Sequence, residues 1–411
     1  MRLPSRDPDM LRVAFVNHHG AVPSGAEKSL ETYLRRIPDD IDPHVFLFED
    51  GAYADQVRAL GIPVHIVPAS PRLMAVTRTE MHVADAVDGI GHVLRLARAM
   101  KSCHVDLVVT NSMKAHVVGA VAARLCGSPA VTWLKDLPEG FALRLVRLVS
   151  RTCATERIAC SDAVVRRLAL ARTATLVPPL DLAQYGQGLS RDEARTSLGL
   201  PRDKLIFSIV GRIAPWKGQD RFIRAAALVC ARTDAVHFAV VGSPTFPKDH
   251  EFAPTLVELV ERLRIAERVS FIPWLPDPRP AYAASDLICN ASAAEPFGRT
   301  SVEAGAHGVP TLCFSDGGAC EAVLPAVTGT VVPAGDIDAF AAAMVAYAFD
   351  PAALKRAGAA ARVYVRRHDA DRLADAFFAI VRRASLKGAH PHREAAARIG
   401  ESTMPATAER G

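Results

Sequence analysis

The sequence predicts an α/β protein built from two doubly wound parallel-sheet domains that face each other across a cleft. Three observations predict it. The chain has 411 residues, more than one hydrophobic core ordinarily organises. Its strand-like runs are continuously apolar rather than alternating, the mark of parallel strands covered on both faces. Those runs alternate with helical patterns in two separate series, broken once at Pro178 and Pro179.

Taken in order, residues 1–10 are polar and read as a disordered N-terminus rather than a signal peptide. The first series spans 11–180. It opens with LRVAFVN at 11–17, followed by a loop (HHGAVPSGAE) and a helix to about residue 36. Further strand patterns fall at 44–48, 64–67, 106–110, 130–134, 157–160 and 175–177. Residues 181–190 form a polar linker, and Ser190 to Glu193 has the spacing of a helix-starting capping box. The second series, 190–365, contains the strand patterns LIFSIVG, HFAVVG, VSFIP, DLICN, TLCF and GTVVP. A helical pattern at 366–385 is expected to pack back on the first domain. Residues 386–411 mix Pro, Gly, Ser and charge without periodicity and are expected to be disordered.

A net charge of +5 is too dilute over this length to argue for nucleic acid. The eight cysteines show no C-x-x-C pair and no zinc-like His spacing, so they read as reduced core residues of a cytoplasmic protein. No run of about 18 apolar residues is present, and membrane contact is expected to be peripheral at most. The arginine-bearing apolar pattern at 141–151 is a candidate for such contact, but a core-facing stripe with snorkelled arginines is the preferred reading.

In open parallel sheets, ligands bind outside the carboxyl ends of the strands. The loops at 18–27, 212–218, 273–277 and 291–299 each follow a predicted strand and would open on the cleft. After LIFSIVG, Gly211 lets the chain turn, and Arg212 and Lys217 can converge on one point. Fixed cations there stabilise the charge of a departing diphosphate. In NASAAEPFGRTSVEAGAHGV, Pro296 and Gly298 put Glu295 on a loop and start a helix near Thr300. That leaves the N–H groups of Gly298 to Ser301 free to seat a phosphate, with Glu303 in the first turn. The same Thr300-Ser301-Val302-Glu303 also fits a capping box that binds nothing.

The Arg212/Lys217 pair followed by Glu295-x7-Glu303 closely resembles the retaining family-4 (group 1) glycosyltransferases, over residues 11–385. Supporting stretches are Ser24-Gly25-Ala26-Glu27, CSDAVVRRL, Gly317-Gly318 with Glu321, and TGTVVPAGD. The resemblance implies the GT-B fold, two Rossmann-like domains, and a nucleoside diphosphate sugar as donor. It implies no cofactor and no metal, since Arg212 and Lys217 would hold the diphosphate. It places Glu295 on the donor sugar, Phe297 and Gly298 as backbone contacts, and Thr300 and Ser301 on the distal phosphate. Glu303 would bind the ribose, Ile272, Pro273 and Trp274 would face the base, and Gly25 would let the first domain approach. Relatives often carry a His after the fifth strand. Here the segment is Thr132-Trp133-Leu134-Lys135-Asp136, so Asp136 becomes the first-domain candidate, ahead of His116, His18 and His19.

Three functions compete on these residues. One is transfer of the sugar to a small-molecule, glycan or lipid-linked acceptor with retention. A second is a catalytically silent, donor-binding subunit. A third, a hydrolase using Glu295 and Glu303, leaves Arg212 and Lys217 without a purpose. Asp-x-Asp triplets beginning at Asp7, Asp40, Asp336 and Asp369 read as solvated rather than metal-binding.

Overall fold

The computed structural model describes residues 7, 9–21, 25–75, 83–186 and 190–388. Ser24, most of 1–10 and the tail from 389 lie outside the described residues, so the expectations placed on them stand as sequence readings.

The strands are β1 (Leu11–Asn17), β2 (Ile41–Leu47), β3 (Val64–Ile66), β4 (Leu107–Thr110), β5 (Ala130–Leu134), β6 (Glu156–Ala159) and β7 (Thr173–Thr175), then β8 (Leu205–Val210), β9 (Val236–Val241), β10 (Val269–Ile272), β11 (Leu287–Asn290), β12 (Thr311–Phe314) and β13 (Gly329–Val332). They form two sheets, ordered β3-β2-β1-β4-β5-β6-β7 and β10-β9-β8-β11-β12-β13, with parallel pairing throughout. This is the predicted pair of doubly wound sheets. Two boundaries moved. β2 starts at Ile41 because its Asp-Pro pair, which reads as a turn, lies within a strand whose neighbours are apolar. β7 sits at Thr173–Thr175, two residues early, since a short polar edge strand carries no apolar signature.

The helices that position the site are α1 (Gly25–Leu34), α2 (Val83–Ser102), α3 (Met113–Cys126), α4 (Asp162–Leu168), α5 (Arg191–Ser197), α6 (Gln219–Cys230), α7 (Arg279–Ala284), α8 (Arg299–Ala306) and α9 (Ala370–Gly388). The start of α5 is fixed by the Ser190–Glu193 capping box, with both reciprocal bonds made. The last helix, α9, lies on the first sheet, where Phe377 stacks on Tyr33 at 4.4 Å in a core shared with Val13, Val131 and Trp133. The helix Gly140–Thr152 buries Ala142, Val146 and Val149, and Arg147 donates to the carbonyls of Arg167 and Leu168. A core-facing stripe thus accounts for that pattern. Among the described residues no single helix is long and apolar enough to cross a membrane. All eight cysteines are free. Three of the four Asp-x-Asp triplets begin with a carboxylate in structural use: Asp336 and Asp369 cap helices, and Asp40 holds Arg382.

In each sheet the strand order reverses beside the first strand, between β1 and β4 and between β8 and β11. Chains leaving such neighbours diverge to opposite faces and open a crevice at their carboxyl ends. The Arg212–Lys217 loop leaves β8 and the Glu295 loop leaves β11, so topology brings the two motifs together.

A buried ion pair lies at the amino ends of the central strands of the second sheet, opposite the cleft. Arg195 on α5 donates to Asp286 at 2.6 Å and to the carbonyl of Ala284 at 3.0 Å, while Asp286 also accepts from the Ile206 N–H at 2.7 Å. Both side chains are 5% exposed. Removing one partner of such a pair strands a charge in the core, at a cost of about 3–5 kcal/mol. Arg195→Ala is therefore expected to lower the urea midpoint of the second lobe markedly. Arg191→Ala, which removes the half-exposed arginine on the same carboxylate, should cost less than about 1 kcal/mol. Equal losses would show that burial does not decide the difference.

Candidate functional site at the interlobe cleft

The β8 loop is shaped by close backbone approach and by the buried Gln219 side chain, which donates to the Arg212 carbonyl at 2.9 Å. Gly218, at the N-cap of α6, has φ +76°, and a Cβ there would stand 2.0 Å from the Ala291 carbonyl. The Ala293 N–H donates to the Trp216 carbonyl at 2.7 Å. Both contacts press the β8 and β11 loops together, and a side chain at 218 would wedge them apart. Across the seam, Lys217 Nζ donates to Glu295 Oε2 at 2.6 Å. Lys217 is also 4.3 Å from the centroid of Trp216, whose ring centroid lies 5.9 Å from the Arg212 guanidinium. Arg212 itself is held by Asp249 at 3.3 Å and lies 4.6 Å from the Phe246 ring.

The Glu295 loop is held from behind. Gly318 N–H donates to the Glu295 carbonyl at 2.6 Å, and side chains at 317 or 318 would collide with the carbonyls of Glu295 and Pro296 at 2.4 and 2.2 Å. Phe297 turns its ring into the core against His368, 5.4 Å between centroids, leaving only its backbone toward the cleft.

Helix α8 begins at Arg299 with Gly298 (φ +84°) as its N-cap and no side-chain cap. This corrects two expectations. The Thr300–Glu303 capping box does not form, because Thr300 is already helical and Glu303 falls in the second turn. The Ser301 N–H is not free, since it donates to the Gly298 carbonyl at 3.0 Å. The N–H groups of Arg299 and Thr300 are those a helix start leaves open. Ser301 Oγ is buried without a hydrogen-bond partner, an unusual condition in a folded protein. Thr300 lines a small recess with Lys217, Gln219, Asn290 and Ser292.

Glu303 is 4% exposed and bonded at both oxygens, to Arg299 Nε at 2.7 Å and to the Tyr282 hydroxyl at 2.5 Å. Burial pushes its carboxyl up, but Arg299, Lys28 and Tyr282 more than offset this and hold it below the usual carboxylate range. Arg299 also reaches the first lobe, at Ser29 Oγ (3.0 Å) and the Pro179 carbonyl (3.2 Å), and its Cδ stands 3.7 Å from where a Gly25 Cβ would be. Beside it opens an interlobe hollow of about 220 Å³, walled by Lys28, Arg36, Tyr185, Asp277 and Arg279 among others. Of the three residues expected at the base, Ile272 is packed in the core and its carbonyl accepts from Gly242, whereas Pro273 and Trp274 are exposed. The sequence reading missed Asp249, Tyr282 and Arg299. Only Arg299 was signalled, by its i,i+4 spacing to Glu303.

The first lobe contributes a buried polar chain at the ends of β1, β4 and β5. Asn17 donates to Glu27 at 2.9 Å, Asn111 to Asn17 at 3.1 Å, and Lys135 Nζ to Asn111 and to the Ala26 carbonyl. Burial, with Arg299 adding to it, lowers the Lys135 ammonium well below its ordinary value. Asp136 is half-buried at the same strand end, near Lys135. His116 is buried and bonded to Thr110 at 2.8 Å, a core position, and burial lowers its pKa to about 3. His18 bonds Ser112 at 2.6 Å, and His19 bonds Glu49 at 3.0 Å.

The lobes meet through the site itself. Ser161 donates to the Pro296 carbonyl at 2.6 Å, and Glu321 caps α4 by accepting from the Asp162 and Ala163 N–H groups at 2.8 and 2.7 Å. At the hinge, His368 Nδ1 lies 3.1 Å from the Pro178 carbonyl.

Residues 190–364 match the family model described as glycosyl transferases group 1. The D-inositol 3-phosphate glycosyltransferase of Kribbella flavida is 34% identical over 197 residues, 46% of either chain. That of Rhodococcus opacus is 34% identical over 252 residues, 60% of this chain and 55% of its own. The chain therefore spans about half the length of the curated relatives it matches. Among solved structures, Anabaena Alr3699/HepE in complex with UDP and glucose superposes with a TM-score of 0.79 at 25% identity, over 90% of this chain and 99% of that one. Sucrose-phosphate synthase from Thermosynechococcus elongatus superposes with a TM-score of 0.74 at 20% identity, over 91% and 98%. The fold is GT-B, and the second lobe carries a group 1 glycosyl transferase domain.

His368 allows a test of hinge electrostatics. Burial lowers its pKa from 6.5 to about 4, against a weaker opposing pull from Pro178. The folded state therefore keeps it neutral where the unfolded chain protonates, and stability is full above pH 6.5 and declines as pH falls toward 4. The thermal midpoint of the native protein is expected to fall more steeply across this window than that of His368→Gln, with parallel curves above pH 7. Parallel curves throughout would mean that His368 takes up its proton while folded.

Proposed function

We propose that the protein is a retaining glycosyltransferase that moves a sugar from a uridine diphosphate sugar to an acceptor hydroxyl, without needing a metal ion. The observation that carries this reading is the Lys217–Glu295 pair at the switch point between β8 and β11, with Arg212 on the same β8 loop, beside an open helix start with the unpartnered Ser301 hydroxyl. The Alr3699/HepE structures with UDP and with UDP-glucose support the choice of donor.

On this reading the diphosphate lies between Arg212, Lys217 and the N–H groups of Arg299 and Thr300, with Ser301 Oγ donating to the distal phosphate. Lys217 exchanges part of its contact with Glu295 for a phosphate oxygen, and the released carboxylate accepts from hydroxyls of the sugar. Glu303 holds the ribose hydroxyls. A carboxylate has about four acceptor sites, so Glu303 keeps capacity beside its bonds to Arg299 and Tyr282 and its contact with Tyr185. Pro273 and Trp274 flank the base, and Gly25 gives the first lobe room to close on the phosphates. The acceptor oxygen attacks the anomeric carbon from the face the diphosphate leaves. Its proton passes to the departing phosphate oxygen, and the two cations take up the charge that develops there. Asp136 and Lys135, on the opposite wall, orient the acceptor hydroxyl.

A silent donor-binding subunit would share the same cleft, so turnover decides between the two readings. The native enzyme is expected to consume UDP-sugar in the presence of a suitable hydroxyl acceptor, or to hydrolyse it slowly without one, at a rate unchanged by EDTA. Lys217→Ala should reduce kcat/KM by about 10²–10³-fold, the usual loss when a fixed transition-state charge is removed. Binding without turnover would favour the silent subunit, and loss of activity with EDTA would overturn the role given to Arg212 and Lys217.

Glu303→Gln separates nucleoside binding from structure. It should weaken UDP binding by about tenfold or more in calorimetry while the protein stays folded. Unchanged affinity would leave Glu303 as no more than the partner of Arg299 and Tyr282.

A further inference from the structure

The pleat of the first sheet gathers a second polar cluster far from the cleft. Arg12 pairs in register with Asp42, Ala14 with His44, and Phe46 with His65. Since successive side chains point to opposite faces, Arg12, Asp42, His44, Phe46 and His65 share one face, the one covered by α2. Cys103 follows the last residue of α2. That helix runs back against the strands and ends just before β4 begins, so Cys103 stands at the strands' amino ends, opposite the cleft.

Here His44 Nδ1 lies 2.8 Å from His65 Nε2, and Cys103 Sγ is 3.9 Å from the His65 ring nitrogens. One ligand atom from each residue lies within 4.8 Å of the others. His44 and Cys103 are 2% and 4% exposed, while His65 is half-buried and faces a route to solvent. Behind them, His44 Nε2 is 3.4 Å from Asp42, which is itself held by Arg12 Nε at 2.6 Å. A second Arg12 nitrogen donates to the Cys103 carbonyl at 2.8 Å.

We propose that His44, His65 and Cys103 form a zinc site, with Asp42 orienting His44 and solvent in the fourth position. Two imidazoles and one thiolate are donors that zinc prefers, and a carboxylate behind a ligating His fixes its tautomer. With Asp42 accepting from His44 Nε2–H, the Nδ1 lone pair faces His65, whose Nε2–H fills the gap in the empty site. On binding, the Cys103 thiol gives up its proton to solvent, and His65 moves its proton from Nε2 to Nδ1 at its exposed edge. One proton is released for each ion bound. Tetrahedral Zn–N bonds of about 2.0–2.1 Å set the two nitrogens about 3.3 Å apart, so the rings separate by about 0.5 Å. The ion ties β2 and β3 to the end of α2, and Asp42 offsets the charge of Arg12 beside it. This site does not depend on the transferase reading, because no residue is shared with the cleft.

The test uses the full chain, reduced and stripped with EDTA, with Co(II) as a spectroscopic probe and then Zn(II). One equivalent of Co(II) is expected to give a thiolate-to-cobalt charge-transfer band with intense tetrahedral d–d bands, both abolished by Zn(II). Zn(II) should also raise the thermal midpoint. Cys103→Ser should remove the charge-transfer band, and Asp42→Asn should weaken binding about tenfold or more. His65→Gln, at the half-exposed position, gives a second loss of binding should Cys103→Ser fold poorly. Absence of the bands, or bands unchanged in both Cys103→Ser and His65→Gln, would overturn the site and leave the cluster as packing, with His65 stacked between His44 and Phe46. Transferase activity is expected to be unchanged with and without Zn(II).

Discussion

A carboxylate that leaves water must keep a cation, and the second lobe is arranged around two such carboxylates. Glu295 and Glu303 are 7% and 4% exposed, where an unpaired charge would cost several kcal/mol. Their partners come from opposite directions. Lys217 reaches Glu295 from the β8 loop, and Arg299 reaches Glu303 from within α8. The first pair closes the seam between two loops at the switch point, and it does so only because Gly218, Gly317 and Gly318 let backbone approach backbone. The second pair sets the side-chain direction of the first turn of α8. Neither pair is a surplus of stability, since burying two ions roughly cancels their attraction. What the pairs supply is placement of charge at the end of a crevice.

That placement is also how the lobes meet. Pro296 accepts from Ser161, Phe297 packs on His368, and Arg299 contacts Ser29 and the Pro179 carbonyl. Four consecutive residues, 296–299, thus carry three interlobe contacts on the same loop that presents Glu295. A change in the angle between lobes cannot leave that loop unmoved, because its hydrogen bonds run to the other lobe and to the hinge. Glu321 reinforces this from the second lobe by capping α4 of the first, a role the spacing of Gly317, Gly318 and Glu321 does not disclose.

The strands were legible because parallel strands buried on both faces are written as unbroken apolar runs, and all thirteen expected strands are present. Where the run was polar or held a Pro, as at Thr173–Thr175 and around Pro43, the boundary slipped. The site was legible as two motifs but not as a network. Arg212, Lys217, Glu295, Thr300 and Ser301 were readable because a strand's end, a Gly turn and a helix start are local. Asp249 and Tyr282 were not, since each arrives from another element through tertiary packing. The start of α8 was misplaced by one residue for a related reason. Thr and Gly are about equal as caps by propensity, but Gly298 is wedged against Asn290 and Ala319 with a positive φ, and that packing decided which residue caps.

The two walls of the cleft differ in kind. On the second lobe Glu303 keeps its charge, because Arg299, Lys28 and Tyr282 outweigh its burial. On the first lobe burial dominates: it weakens Lys135, lowers Lys114 to about 8 and holds His18 well below its ordinary value. The same low dielectric thus has opposite outcomes, set by whether the counter-charges outweigh burial. Glu27 and Asp136 pull the Lys135 ammonium back up, but burial outweighs them and Arg299 adds to it across the gap. On the proposed reading the charged second-lobe wall faces the departing diphosphate, and Asp136 and Lys135 on the first-lobe wall face the incoming hydroxyl.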